Sequence, residues 1–171
     1  IDTSNKASTT AEALKEALKL GAMPVQLSQI QLGPWGSPDE KGYGPGSRFT
    51  DYVLFKHGVI IDPDTGRRIV NELSDRKTIS DCILNTGHIC IGICDANAVA
   101  ASGWDMASSL KKGVIKQSGD FEEIASLYGV NPDSLKLSLD KYNENLEQQT
   151  NDEFGKPVLK GVKPICQPPY Y

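Results

Sequence analysis

The second half of the chain has apolar residues at helical spacing. Asn131 and Pro132 form a helix start, with a capping side chain followed by proline at the first helical position. The apolar stripe that follows repeats every three or four residues: Leu135, Leu139, Tyr142 and Leu146. Asp120 predicts the start of an earlier helix over 121–128 that ends at Gly129. The two segments therefore predict a helical hairpin.

The first third predicts one helix and one strand. Thr9 and Glu12 have the spacing of a capping box, followed by an apolar stripe that ends at Gly21. Residues 24–32 alternate between apolar and polar side chains, as a strand does, but the phase of the alternation shifts once. We expect a β-bulge near Ser28 or Gln29 to account for that shift.

The middle of the chain predicts a hairpin followed by short elements. Residues 52–61 favour a strand, 62–66 a turn and 68–70 the return strand. Beyond them we expect a helix over 77–84, a short buried strand over 89–94, and helices over 95–101 and 105–112. The predicted fold class is α+β: one domain with a small antiparallel sheet, surrounding helices and the helical hairpin.

Charge argues against nucleic acid as a partner. The formal net charge is −4 and the isoelectric point about 5.2, whereas a nucleic-acid groove needs a basic excess. The helical hairpin around Gly129 has the spacing of a helix-turn-helix, but its second helix offers only Lys136 and Lys141 as cations among three acidic residues. No apolar run approaches the length of a membrane span.

The cysteines suggest a metal site that the spacing does not support. His88, Cys90 and Cys94 are neighbours in the sequence, but zinc sites usually combine two ligand pairs and the second pair is missing. Buried cysteine behaves as a small apolar residue. We therefore predict free thiols and no metal.

A long glycine-rich loop, 33–48, contains Trp35 and Tyr43. Loops of this length are often functional, but an Ω-loop that packs on its own tryptophan is also compatible with the pattern. The chain has no P-loop, no GxGxxG after a strand and no local signature of a serine hydrolase. It therefore has no standard device for binding a dinucleotide by itself.

Arg76 lies at the predicted start of a helix, directly after Asp75. An arginine stays charged near neutral pH, and its rigid fork of donors suits a carboxylate. Asp51 and Asp75 are candidates to hold it in place. The alternative is an ordinary surface arginine paired with Asp75.

The order of these segments resembles the capping, or clamp, domain of the fumarate reductase, flavocytochrome c and urocanate reductase family of FAD-dependent oxidoreductases. The resemblance covers nearly all of the chain and depends on the collinear order of several short segments. The segments are Thr10 to Ala13, Leu20 to Met23, Gln31 to Pro34, Asp62 to Arg68, Asn71 to Arg76, Gly129 to Leu135, Tyr142 to Glu144 and Pro168 to Tyr171.

The resemblance implies reduction of a C=C bond next to a carboxylate. Reduced flavin gives a hydride to one carbon, and Arg76 gives a proton to the other, with Asp51 as the acid that feeds it. Leu54 stands where the family has a second relay arginine, so the relay must differ here. Gly33 stands where fumarate reductases have a carboxylate-binding histidine, which argues for a bulkier or less charged acrylate than fumarate.

The resemblance also implies contacts and partners. Gln31, Trp35 and Tyr43 would contact the substrate, and Thr10 and Glu12 would approach FAD. The expected partners are the FAD-binding domain of the same chain, an unsaturated carboxylate, and a haem or other electron-donor domain. Both ends of the sequence look cut, so we expect residues 1–171 to be a single capping domain from a longer flavoprotein, inactive in isolation. The alternative function is a binding module that uses loop 33–48 to hold a small ligand or a protein.

Overall fold

A three-stranded antiparallel sheet forms the centre of the fold in the computed structural model, which describes residues 3–171. The strands are β1 (Val59–Asp62), β2 (Arg67–Arg68) and β3 (Ile91–Ile93), in the order β2-β1-β3. Ile61 of β1 pairs with both Arg68 and Ile91. The fold class is α+β, as the sequence predicts.

Helices surround this sheet. They are α1 (Glu12–Lys19), α2 (Pro45–Phe49), α3 (Phe55–His57), α4 (Arg76–Thr86), α5 (Ala96–Ser102), α6 (Ala107–Lys111), α7 (Phe121–Leu127) and α8 (Pro132–Glu147), with a π-helical turn at Thr50–Leu54 between α2 and α3. The helical hairpin is confirmed as α7 and α8. Among residues 3–171, no helix combines the length and the apolar character that a bilayer crossing needs.

Each face of β1 packs against its own hydrophobic cluster. Val59 and Ile61 face α7 and α8, whereas Ile60 faces the cluster around Val53, Leu54 and Ile79, because successive strand residues point to opposite faces. The whole predicted stripe of α8 is buried in the first cluster. Each such side chain stabilises the fold by roughly 1.5–3 kcal/mol.

Side-chain caps fix the helix starts that matter for the site. The Asp75 carboxylate accepts hydrogen bonds from the backbone N–H groups of Lys77 and Thr78, which sets the first turn of α4. Asp120 and Asn131 cap α7 and α8 in the same way, as predicted. The Asp75 carboxylate is therefore already hydrogen-bonded to the backbone at the start of α4.

Three sequence predictions are wrong in the first third. Residues 24–32 form no strand, because Val25 and Ile30 are 71% and 77% exposed and the segment has no strand partner. The capping box at Thr9 is absent: helix α1 begins after Ala11, which has φ 59° and no side-chain cap. Residues 50–57 are helical rather than extended, because a helix lets Val53 and Leu54 enter the core together.

A buried cluster of four charges joins the sheet to the C-terminal segment. The Arg68 guanidinium binds Glu72 at 2.8 Å and Asp152 at 2.6 Å, and Lys156 Nζ lies 2.9 Å from Glu72. Burial alone would lower the pKa of Arg68, but Glu72 and Asp152 outweigh it and raise that pKa. Burial does lower the pKa of Lys156. Glu72 is thus a structural residue of the Asn71-to-Arg76 segment.

Candidate functional site

Arg76 lies at the first position of α4, on the surface, against the loop segment that begins at Gln31. Its Nη1 donates a hydrogen bond to Gln31 Oε1 at 3.1 Å. The guanidinium carbon also lies 4.5 Å from the centre of the Trp35 ring, a cation–π contact. Arg76 is therefore held from two sides by residues about 40 positions earlier in the chain.

Trp35 packs against the backbone of its own loop. A Cβ added at Gly33 would lie 2.8 Å from the Trp35 ring, closer than two carbon atoms can approach. Glycine at position 33 therefore makes room for the indole. The indole Nε1 is buried and has no hydrogen-bond partner within residues 3–171.

Tyr43 continues the line of contacts from Trp35 to Asp51. The two aromatic rings meet edge to face with centroids 6.3 Å apart. The Tyr43 hydroxyl donates a hydrogen bond to Asp51 Oδ2 at 2.9 Å. Burial, followed by this hydrogen bond, raises the pKa of Tyr43 to about 12. The phenol is therefore protonated, and a hydrogen-bond donor, across the physiological range.

The π-helical turn separates Asp51 from Leu54. Asp51 is exposed and turned toward Tyr43, whereas Leu54 is 3% exposed and belongs to the core. A Cβ at Gly92 would lie 2.1 Å from the Leu54 side chain, so β3 closes over it. Leu54 is a packing residue and does not take part in a polar network.

Loop 33–48 folds on itself around Glu40. Glu40 Oε1 accepts a hydrogen bond from the Ser47 backbone N–H at 2.9 Å. This internal packing is the feature expected of an Ω-loop. The same loop also brings Trp35 and Tyr43 to Arg76 and Asp51. Internal packing of the loop is therefore compatible with a binding role for its two aromatic side chains.

Five of the seven predicted site residues therefore form one continuous line: Gln31, Arg76, Trp35, Tyr43 and Asp51. Thr10 and Glu12 lie outside it, exposed at the start of α1. In the described chain their side chains make no hydrogen bond or ion pair with the five. The predicted pairing of Asp75 with Arg76 is not formed, because the Asp75 carboxylate caps α4.

Sequence reasoning missed a row of exposed apolar residues near the site. Leu20, Met23, Val25, Leu27 and Ile30 are each more than half exposed and lie between α1 and Gln31. Val25, Leu27 and Ile30 belong to the predicted strand over 24–32, which the structure does not form. Several exposed apolar side chains in one segment favour an interaction surface.

Comparison with known proteins shows the family. The sequence model of the FAD binding domain family matches residues 1–171. The chain belongs to this family.

Two relatives are named as acrylate reductases. The acrylate reductase flavoprotein subunit of Shewanella woodyi is 32% identical over 97% of the chain, which spans 34% of that protein. NADH:acrylate oxidoreductase of Vibrio harveyi is 26% identical over the whole chain, which spans 17% of it. The chain therefore corresponds to about a third of the first relative and less of the second.

A solved structure confirms the fold. The open conformation of a flavocytochrome c3 fumarate reductase superposes on the whole chain with a TM-score of 0.72 at 21% identity, and the match covers 29% of that structure. Such a level of identity supports a shared fold.

Proposed function

We propose that the chain is the substrate-capping domain of an FAD-dependent reductase that reduces the C=C bond of an unsaturated carboxylate. The observation that carries the proposal is the position of Arg76: at the surface, at the first position of a helix, and held by Gln31 and Trp35. The names of the two acrylate-reducing relatives support the reaction class.

FAD, bound by another part of a longer flavoprotein, would supply the hydride from flavin N5. The exposed hydroxyl of Thr10 and carboxylate of Glu12 fit a contact with that cofactor, because both face solvent at the start of α1, the helix that leads into the exposed apolar row from Leu20 to Ile30. The row itself fits an interface with the FAD-binding domain. A haem or another electron-donor domain would then provide the electrons.

Arg76 would bind the carboxylate of the substrate and deliver a proton to the carbon of the C=C bond that does not receive the hydride. A guanidinium is a poor acid in water, since its pKa is well above neutral. Closure of the cap over the substrate would remove water and strengthen the electrostatic interactions in the site. Gln31 and Trp35 would fix the direction in which the guanidinium points.

Asp51 would feed the proton through a relay that includes Tyr43. Leu54 is buried and cannot take part, whereas the Tyr43 hydroxyl is hydrogen-bonded to Asp51. A phenol can accept a proton on one side while it donates on the other. Tyr43 would therefore supply the hydroxyl next to Asp51 that the Leu54 position lacks. A bound water molecule would carry the proton on to Arg76, because the contacts between Tyr43 and Arg76 run through the Trp35 ring, which cannot pass a proton.

Trp35 would favour an acrylate of low charge. Its ring covers Gly33 and would offer an apolar wall, since its indole N–H is buried. Arg76, the cation against this ring, would already bind the first carboxylate, so a second carboxylate would meet apolar surface. We therefore expect monocarboxylic or aromatic acrylates to be better substrates than fumarate.

The test is turnover by the intact flavoprotein with Arg76→Lys or Arg76→Gln. Removal of the cationic proton donor in Arg76→Gln, and its displacement in Arg76→Lys, should lower kcat by roughly 10²-fold or more, with the visible flavin spectrum unchanged. Arg67→Lys is the matched control, because Arg67 is exposed on β2 and outside the line of five. Unchanged turnover in the Arg76 variants would reject the proposal.

A further inference from the structure

Three side chains that can bind a metal ion lie close together just after the C-terminal end of α4, the helix that begins at Arg76. Asp62 ends β1, Asp64 lies in the turn that follows, and His88 comes two residues after α4. Pairing of Ile61 with Ile91 brings the two connections together. The ligand atoms of the three side chains all lie within 4.8 Å of one another.

Both ring nitrogens of His88 face carboxylate oxygens. Nε2 lies 2.8 Å from Asp62 Oδ1, and Nδ1 lies 3.3 Å from Asp64 Oδ2. A neutral imidazole has one N–H and one lone pair, so one nitrogen then faces a negative oxygen with no proton between them. The two carboxylates thus surround the imidazole with negative charge, which a bound cation would balance.

The positions of two of the ligands are fixed by their own turns. Asp62 Oδ1 accepts the Asp64 backbone N–H and Oδ2 accepts the Thr65 hydroxyl, both at 2.9 Å. The Thr86 hydroxyl bonds to the His88 backbone oxygen at 3.2 Å. The Asp64 side chain is 77% exposed, so it can rotate onto an ion without a change in the backbone.

We propose that Asp62, Asp64 and His88 form a binding site for a divalent transition-metal ion of the Zn²⁺ type. One imidazole and two carboxylates are donors that such ions accept, whereas Ca²⁺ and Mg²⁺ prefer oxygen ligands alone. Ligands at about 2.0–2.2 Å from one ion lie roughly 3 Å from each other, close to the 2.8 Å between Asp62 and His88. Water would complete the coordination.

The ion would tie the β1–β2 turn to the connection after α4. The site is independent of the capping function, because it uses none of the five residues in line with Arg76. Its role would be to anchor the C-terminal end of the helix that begins with Arg76.

Calorimetric titration of the intact protein with Zn²⁺ near neutral pH tests the site, with Co²⁺ absorption as a second probe. We expect one ion per chain, with weaker binding at mildly acidic pH because protons compete. Even the loss of a residue that only hydrogen-bonds to a metal ligand lowers metal affinity about 10–100-fold. Loss of a ligand itself, in His88→Asn or Asp64→Asn, should therefore lower the affinity for Zn²⁺ by about tenfold or more.

Asp140→Asn is the matched control, because Asp140 is an exposed carboxylate on α8 paired with Lys136. It should leave the affinity unchanged. No saturable binding at millimolar Zn²⁺, or equal binding by the wild type and both ligand variants, would overturn the proposal. Asp64→Asn keeps the test decisive if His88→Asn unfolds the chain, since the Asp64 side chain is exposed.

Discussion

Trp35 connects the two halves of the candidate site, because its ring contacts Arg76 on one side and Tyr43 on the other. The contact with Arg76 depends on the missing Cβ at Gly33, over which the indole lies. Gly33 and Trp35 therefore act as a pair. In the proposed function this pair would set both the direction of the guanidinium and the shape of the substrate pocket.

We predict that Gly33→Ala lowers turnover by the intact flavoprotein through displacement of Trp35. The new Cβ would lie 2.8 Å from the ring, so the indole must move and Arg76 loses one of its two supports. The tryptophan fluorescence should change, and kcat with an acrylate should fall by about tenfold or more.

Gly36→Ala is the control for this prediction. A Cβ at Gly36 meets nothing within 4 Å, and the residue lies in the same loop. It should leave both the fluorescence and the turnover unchanged. Normal kcat in Gly33→Ala together with a shifted fluorescence spectrum would show that the position of Trp35 is unimportant for the reaction.

The sequence names candidate site residues but does not predict their contacts. The chemistry of Arg76 and Asp51 and their place in a family-like order predict a site role, and the structure places both in one line of contacts. Asp75 was expected to hold Arg76 but instead caps α4. A carboxylate one residue before a helix satisfies the backbone N–H groups of the first turn, and this local contact competes with any side-chain partner.

At the scale of elements, loop 33–48 and the π-helical turn are joined by two side-chain hydrogen bonds, from Tyr43 to Asp51 and from Thr50 to the Gly46 backbone oxygen. The loop also closes on itself through Glu40 and Ser47. The Tyr43 contact holds the aromatic part of the loop against the turn and would supply the first step of the proposed relay.

We predict that Tyr43→Phe lowers kcat by about tenfold with little change in thermal stability. The ring contact with Trp35 is preserved, whereas the hydrogen bond to Asp51, worth about 0.5–1.5 kcal/mol, is lost. Turnover and thermal unfolding of the intact flavoprotein should be measured together.

Tyr52→Phe provides the matched comparison. Tyr52 follows Asp51 directly, is 58% exposed, and stacks on Trp104 through its ring. Removal of the Tyr52 hydroxyl should change neither the turnover nor the thermal stability. Equal turnover in wild type and Tyr43→Phe would remove Tyr43 from the relay and leave Asp51 without a route to Arg76.

Elements with long periodic patterns were predictable, and short ones were less so. The stripe and caps of α8 matched because sixteen residues repeat one pattern. Residues 52–57 were predicted as part of the strand over 52–61, because this short segment contains the aromatic residues Tyr52 and Phe55 and the β-branched Val53. Burial of Val53 and Leu54 in one cluster overrides that propensity.

At the scale of the whole molecule, the four buried charges join segments that are distant in sequence. Arg68 and Glu72 come from the region of the hairpin, and Asp152 and Lys156 come from the segment after α8. The two positive and two negative charges balance one another. The segment after α8 is therefore anchored against the sheet and supports the strand that leads toward Arg76.

We predict that Lys156→Met lowers the free energy of unfolding by about 3–5 kcal/mol, because it leaves the buried carboxylates with one cation. Chemical denaturation should measure this change. Lys160→Met removes an exposed lysine four residues later and should change stability by less than about 0.5 kcal/mol. Similar losses in both variants would show that the buried cluster contributes no more than surface charge does.

The sequence by itself determined the fold class, the helical hairpin and the caps at Asp120 and Asn131, because these depend on neighbours within one or two helical turns. Its candidate site residues stay a prediction. Only the tertiary structure decided that residues 24–32 form no strand, that Leu54 enters the core while Asp51 meets Tyr43, and that His88 lies between Asp62 and Asp64. These features depend on contacts between segments far apart in the chain. Local periodicity carries no information about which partner a side chain will find, and the packing of β1 against its neighbours supplies it.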